Sequence, residues 1–159
     1  GETLNDKGDQ YWGHGESLRE ELVANPLLVL APGVAAGRVD CIGRNEDMFP
    51  TLLDAMGLPA MAGVSGASLR PACRAQGRAS LYSDQDLLGL IVATDGASRV
   101  VRYCKDGVAE RAYDLTTDPT ESVAVDVTTL ARGAELQAEL DTFAAEIHAQ
   151  VGGELCVAP

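Results

Sequence analysis

Aromatic side chains are scarce in this chain: Phe, Tyr and Trp make up 4% of its 159 residues, so any core must rest on Leu, Val and Ala. Nowhere does an apolar run approach the roughly 18 residues that a membrane-spanning helix needs, so nothing in it reads as a span. The four cysteines, Cys41, Cys73, Cys104 and Cys156, include no Cys-x-x-Cys pair, which argues against a zinc cluster. Two disulfides and buried free thiols both fit that spacing, and the compartment is left open. Positive charge is in the minority, with 12 Lys and Arg against 24 Asp and Glu, a net charge of −12. That balance argues against a nucleic-acid partner, whose phosphates need a basic face. It leaves an anionic small molecule open, because a few local cations can gather one inside an acidic protein. The chain also opens on Gly1, with no initiator Met, basic n-region or apolar h-region, and the expectation is an internal start, a fragment of something longer.

What is present describes a folded protein. At 46% hydrophobic and 23% charged residues the composition is globular, and the length suffices for a real core. The first 17 residues are polar and glycine-rich, and Glu2, Asp6 and Asp9 do not match the spacing of a calcium loop. His14 sits between Gly13 and Gly15, where no neighbouring Cβ shields the ring, an ordinary setting for acid–base or anion-binding chemistry. Ser17 and Glu20 have capping-box spacing for a helix that ends before Pro26. Leu27, Leu28, Val29 and Leu30 read as a strand covered on both faces, closed by Pro32-Gly33. Asp47 is placed to cap a helix whose Phe49, Leu52, Leu53 and Met56 form one apolar face, with Gly57 and Pro59 as its stop. Asp54 on that helix reads as solvated or capping rather than catalytic. Residues 60–79 read as an irregular connection in which Ser68-Leu69 packs on the core.

From Ser80 the pattern changes to short strands at Leu81-Tyr82, Leu90 to Thr94, Arg99 to Cys104 and Glu110 to Tyr113. Asp95-Gly96 and Asp106-Gly107 predict type I′ hairpin turns, hence an antiparallel meander. Arg99, Arg102, Lys105 and Arg111 are expected on the solvated face of that sheet, with anion binding as the other reading. A turn at Asp118-Pro119 precedes the longest helix, residues 129–151. Its stripe of Leu136, Leu140, Phe143, Ala144, Ile147 and Val151 should cover the sheet, with Gly152-Gly153 beyond its end. His148 falls beside the stripe near the helix end and reads as structural or solvated.

Certain short pieces recur in a fixed order: Gly1-Glu2, Gly13-His14-Gly15, Leu18-Arg19-Glu20-Glu21, Asn25-Pro26-Leu27 and Ala31-Pro32-Gly33. Pro50-Thr51-Leu52-Leu53-Asp54, Gly57-Leu58-Pro59, Gly66-Ala67-Ser68-Leu69 and the run Tyr113-Asp114-Leu115 through Asp118-Pro119-Thr120-Glu121 follow. As an ordered series spanning nearly the whole chain, they resemble the C-terminal part of the sulfatase branch of the alkaline phosphatase superfamily. Two positions depart from that pattern: Arg19 stands where Tyr is common, and Ala24-Asn25 replaces Arg-Val before Pro26.

The resemblance implies an α/β fold: the C-terminal part of an alkaline-phosphatase-like sandwich plus a small antiparallel sheet packed by a long C-terminal helix. Residues 1–79 would be the remnant of the catalytic domain and 80–159 the sheet-and-helix subdomain. It implies a metal-dependent hydrolase of sulfate esters, with a small sulfated molecule or glycan as substrate and a divalent metal, Ca²⁺, as cofactor. Residue by residue only His14 maps onto a family site position, contacting sulfate oxygens or the leaving group, as catalytic and substrate-binding residue together. The nucleophile and the metal-binding Asp-His pair would lie upstream of Gly1, in a missing N-terminal part of the same protein, so this chain alone should not turn over substrate. A secreted or periplasmic location is the family's leaning. Two further readings stand beside it: a phosphodiesterase, phosphonate hydrolase or phosphoethanolamine/phosphoglycerol transferase of the same superfamily, and a non-catalytic acidic interaction domain.

Overall fold

The structure is a computed structural model that describes residues 3–4, 12–13, 17–72, 80–84, 89–104 and 108–151. In chain order its elements are β1 (Thr3–Leu4), β2 (Trp12–Gly13), α1 (Glu20–Val23), α2 (Met48–Ala55), α3 (Leu69–Ala72), β3 (Ser80–Asp84), β4 (Leu90–Thr94), β5 (Ser98–Tyr103), β6 (Ala109–Asp114) and α4 (Gly133–Val151). Single 3₁₀ turns at Asn45–Asp47 and Val127–Thr129 precede α2 and α4. The chain forms two compact units, Gly1–Asn25 with Leu81–Pro159, and Pro26–Ser80.

The first unit is organised around a four-stranded sheet in the order β3-β4-β5-β6. β4 and β5 pair antiparallel with Val92 opposite Val101, and β5 and β6 with Val101 opposite Arg111. The β4–β5 turn differs from the predicted type I′. Asp95 N–H donates to the Ser98 carbonyl at 3.2 Å, so Gly96 and Ala97 are the central residues. Only Gly96 of the two has positive φ, at 84°, the pattern of a type II′ turn. The Asp95 carboxylate accepts from the Ala97 and Ser98 N–H groups and holds the turn. Asp106-Gly107 and Lys105 lie outside the described residues.

Alternate positions point to opposite faces of a strand. One face carries Leu90, Val92, Val101 and Tyr113, which cluster with Leu115 and pack against Leu18 and Tyr103. The other carries Ile91, Ala93, Val100 and Ala112, under the α4 stripe of Leu136, Leu140 and Ala144. Every residue of β4 is consequently buried. This corrects the expectation of a half-solvated sheet: Arg99 and Arg102 are 0% and 2% exposed. Arg102 lies beneath α4, where Asp141 and Glu110 both sit 2.6 Å from its Nη2. Arg111, on the outer strand β6, is exposed as expected.

In the second unit, Leu27 to Leu30 is not a strand, and Leu28 and Leu30 are 93% and 98% exposed. A strand exists only where a neighbour completes its ladder, and the described residues of this unit supply none. Phe49, Leu52 and Met56 of α2 are likewise exposed rather than packed. Order here comes from Asp47, fully buried but not the side-chain cap of α2. One carboxylate oxygen accepts from Arg44 N–H at 2.8 Å and the other from Ala67 N–H at 2.9 Å. One turn on, Thr51 accepts from Leu69 N–H at 2.9 Å and donates to the Asp47 carbonyl. Together they fix buried Leu69 against the start of α2. Asp54 accepts from the Ser68 hydroxyl at 2.7 Å and pairs with Arg70 at 3.7 Å.

Candidate functional site

His14 lies outside the described residues, and so does the side chain of His148. Immediately before His14, Gly13 has φ 139°, a conformation that a side chain disfavours, and pairs with Thr3 in the β1–β2 ribbon. Further along the chain, residues 17–23 lie on the sheet face of the first unit, held by ionic contacts as well as by Leu18.

Arg99 is the centre of that attachment. Its Nη1 donates to Glu20 Oε2 at 2.8 Å, and its Nε is 3.2 Å from Glu121 Oε2, an ion-pair contact without hydrogen-bond alignment. The other Glu121 oxygen accepts the Glu20 backbone N–H at 2.8 Å. Glu121 thereby supplies the cap of α1 from far along the chain. The predicted Ser17–Glu20 capping box does not form. Arg19 is the N-cap residue, and the Glu20 carboxylate turns to the buried guanidinium, where a charge needs a counter-ion. Burial pushes the Glu20 carboxyl above its ordinary value, Arg99 opposes that shift, and the nearby Glu121 and Glu21 charges add to it.

Glu121 is itself held in an unusual conformation, with φ 53°. The loop around it winds on Asp118, whose carboxylate accepts from Val123 and Ser122 N–H and from the Thr120 hydroxyl. Those hydrogen bonds, led by Val123, hold the Asp118 carboxyl below the usual carboxylate range. The motif Asp118-Pro119-Thr120-Glu121 is therefore a rigid elbow that delivers one carboxylate to Arg99. Its spacing was visible in the sequence; its target was not.

Beside this network, in the same unit, a cavity of about 490 Å³ opens on the sheet. Leu90, Val92 and Val101 form its apolar floor, and Ser17, Arg19, Tyr103, Arg111, Tyr113 and Ser122 its polar walls. Arg111 lies over the Tyr103 ring, 5.4 Å from its centroid. Burial, reinforced by Tyr113, pushes the Tyr103 hydroxyl up, keeping it a neutral donor. Among the described residues no group of three or more His, Cys, Asp or Glu could hold a metal ion. Nor is any described helix long and apolar enough to cross a membrane. Cys41 and Cys104 are both disulfide-bonded, which removes the free-thiol reading for these two.

No protein-family model matches this chain, and no curated protein matches it. Among solved structures it is similar to BT4656 in complex with its substrate, D-glucosamine-2-N,6-O-disulfate, with 22% sequence identity and a TM-score of 0.45. The match covers 69% of this chain and 25% of that one, so this chain spans about a quarter of that protein's length.

Proposed function

We propose that this chain is the C-terminal portion of a metal-dependent, sulfatase-like hydrolase of sulfate esters. The observation that carries the reading is the meeting of the early and late members of the motif series. Glu20, from the Leu18-Arg19-Glu20-Glu21 piece, and Glu121, at the end of the Asp-Pro run, converge on one buried cation, Arg99. That convergence supports treating the series as parts of one fold rather than as scattered short matches. The apolar surface at Leu28, Leu30, Phe49 and Leu52 supports a chain that packs against further polypeptide. The disulfide-bonded state of Cys41 and Cys104 supports an oxidising location, secreted or periplasmic.

In this reading His14, as an imidazolium, neutralises the charge that develops on the ester's leaving oxygen. Its glycine neighbours let the ring approach the ester closely. The nucleophile and the ligands of the Ca²⁺ come from polypeptide outside this chain.

The test is made on the longer protein with 4-nitrophenyl sulfate and bis(4-nitrophenyl) phosphate. Preferential sulfate release is expected, and His14→Ala should lower kcat/KM at least tenfold, about 1.4 kcal/mol. Faster cleavage of the phosphate diester would move the protein to the phosphodiesterase reading. An unchanged kcat/KM would reduce His14 to a loop residue.

A further inference from the structure

We propose that the outer edge of β6, from Val108 to Arg111, is a docking site for an extended, acidic polypeptide segment that adds a strand to the sheet. β6 ends the order β3-β4-β5-β6, so no strand of the sheet lies on its outer side. Toward its C-terminal end that side is closed by a single bridge, in which the Ala112 carbonyl accepts the Val125 N–H at 2.8 Å. The chain does not run on along β6 from there, because Asp126 caps the 3₁₀ turn Val127–Thr129. Main-chain groups of alternate residues face the same side of a strand, so Glu110, like Ala112, presents its N–H and C=O outward. Exposure agrees with this. Ala109, Glu110 and Arg111 are all exposed, and Glu110 is so although its side chain, held by Arg102 and Gln137, is only 26% exposed. What solvent reaches there is main chain. Ladder groups without a partner are a template for another strand, and Val108, 38% exposed, extends the same edge.

Charge selects the occupant. Among the described arginines of this unit, Arg99, Arg102 and Arg132 each have a carboxylate oxygen within 2.8 Å, and Arg19 has Glu21 at 4.0 Å. Arg111 has no ion pair among the described residues and lies over the Tyr103 ring. A strand added beside β6 sets one of its side chains directly opposite Arg111, about 4.5–5.5 Å away between Cβ atoms, and Asp or Glu there completes the missing pair. On the other face the added strand meets Glu110, whose carboxylate Arg102 and Gln137 already hold, so a small polar or apolar residue suffices. A second copy of β6 does not fit this description. Beside Arg111 its own face carries Ala109 and Tyr113 and no carboxylate. Of the 24 Asp and Glu only Asp40, Glu46, Asp47 and Asp54 fall in residues 26–80, so two first units placed edge to edge would also repel. A short segment escapes that repulsion, because at physiological salt charges beyond about 8 Å are screened and the local guanidinium decides. Neither His14 nor the hydrolase reading enters this assignment.

Titration of the ¹⁵N-labelled full chain, Gly1–Pro159, with three blocked peptides tests the site by NMR. The peptides are acetyl-Thr-Glu-Val-Glu-Thr-amide, its Lys counterpart acetyl-Thr-Lys-Val-Lys-Thr-amide, and acetyl-Thr-Glu-Pro-Glu-Thr-amide, which lacks a ladder N–H. The Glu peptide should shift the Glu110 and Ala112 amide signals and slow the hydrogen exchange of the Glu110 amide. The Lys and Pro peptides should each bind at least tenfold more weakly. Arg111→Ala, at an exposed position, should keep the wild-type Tm, weaken the Glu peptide about fivefold and erase the preference for Glu over Lys. Arg38→Ala, an exposed arginine paired with Asp40, should change nothing. The assignment is overturned if the Glu peptide leaves the Glu110 and Ala112 signals in place, if either control peptide binds as tightly, or if Arg111→Ala keeps the preference. Binding is read without turnover, so this outcome and that of the hydrolase test are independent.

Discussion

Glu121 Oε1 accepts the backbone N–H of Glu20 at 2.8 Å across 101 residues of sequence. The same carboxylate contacts buried Arg99, so one side chain caps α1 and neutralises the cation beneath it. Removing one partner of a buried ion pair is costly because it strands the other, by about 3–5 kcal/mol where no second partner remains. Arg99 keeps Glu20, so Glu121→Ala should lose about 3 kcal/mol, read as a fall in the urea midpoint. Glu121→Gln, which retains an acceptor for the Glu20 N–H, should lose less. Because φ is 53°, Glu121→Gly should be less damaging than Glu121→Ala, by about 1 kcal/mol. Equal losses for Ala and Gly would mean that the backbone there carries no strain.

Glu20 gives this network a pH dependence of unusual sign. Its folded-state pKa is raised above 4.5, so just above that pH the native state binds more protons than the unfolded state. Stability attributable to Glu20 is therefore greatest below 4.5 and declines as pH rises through the folded value. Asp114, Asp118 and Asp126 act oppositely. Their pKa values are lowered below 3.8, so their contribution is present above 3.8 and lost in stronger acid. Urea midpoints from pH 3 to 7 separate the two effects when wild type is compared with Glu20→Gln. The stability difference, wild type minus variant, should fall as pH rises above 4.5; a flat or rising difference would contradict the burial of Glu20.

Asp47 should be the most sensitive position of the second unit. Its two oxygens take the Arg44 and Ala67 N–H groups, and Asp47→Ala would leave both without acceptors. At about 1–3 kcal/mol per stranded donor, a loss of about 2–4 kcal/mol is expected, because water can reach these partly buried groups. Hydrogen exchange is the direct measurement. The Ala67 and Leu69 amides should exchange faster in Asp47→Ala, while the sheet amides of Val92 and Val100 keep their protection. Loss of protection in the sheet as well would show that the two units unfold together.

Local chemistry made the sheet and its helix legible. Leu90 to Thr94 was readable to the residue, and the stripe containing Leu136, Leu140 and Ala144 identified α4 and its buried face. The interior of the sheet was less legible, since in Arg99-Val100-Val101-Arg102 the arginines fall on opposite faces and look like solvated positions. Only tertiary structure covers both faces, and the counter-ions come from Glu20 and Asp141, 79 and 39 residues away. Sequence spacing registers local partners such as Ser17 and Glu20, and here the distant guanidinium won the Glu20 carboxylate. The Leu27 to Leu30 run failed for the complementary reason: apolar composition describes what a strand needs, not whether a neighbouring strand is there to receive it.

The apolar face of α2 follows the same logic. Phe49, Leu52 and Met56 have the spacing of a packed helix face yet are 50%, 54% and 69% exposed. A core position loses about 2–5 kcal/mol on truncation, whereas an exposed one changes stability by under about 0.5 kcal/mol. Leu52→Gln and Met56→Gln should therefore leave the urea midpoint of this chain unchanged. Exposed apolar surface of this extent favours association, so the double variant should also shift light-scattering mass toward the monomer at high protein concentration. In a longer protein that covers this face, the same substitutions should cost stability in full. A loss of 2 kcal/mol or more in the present chain would show instead that α2 already packs through this face.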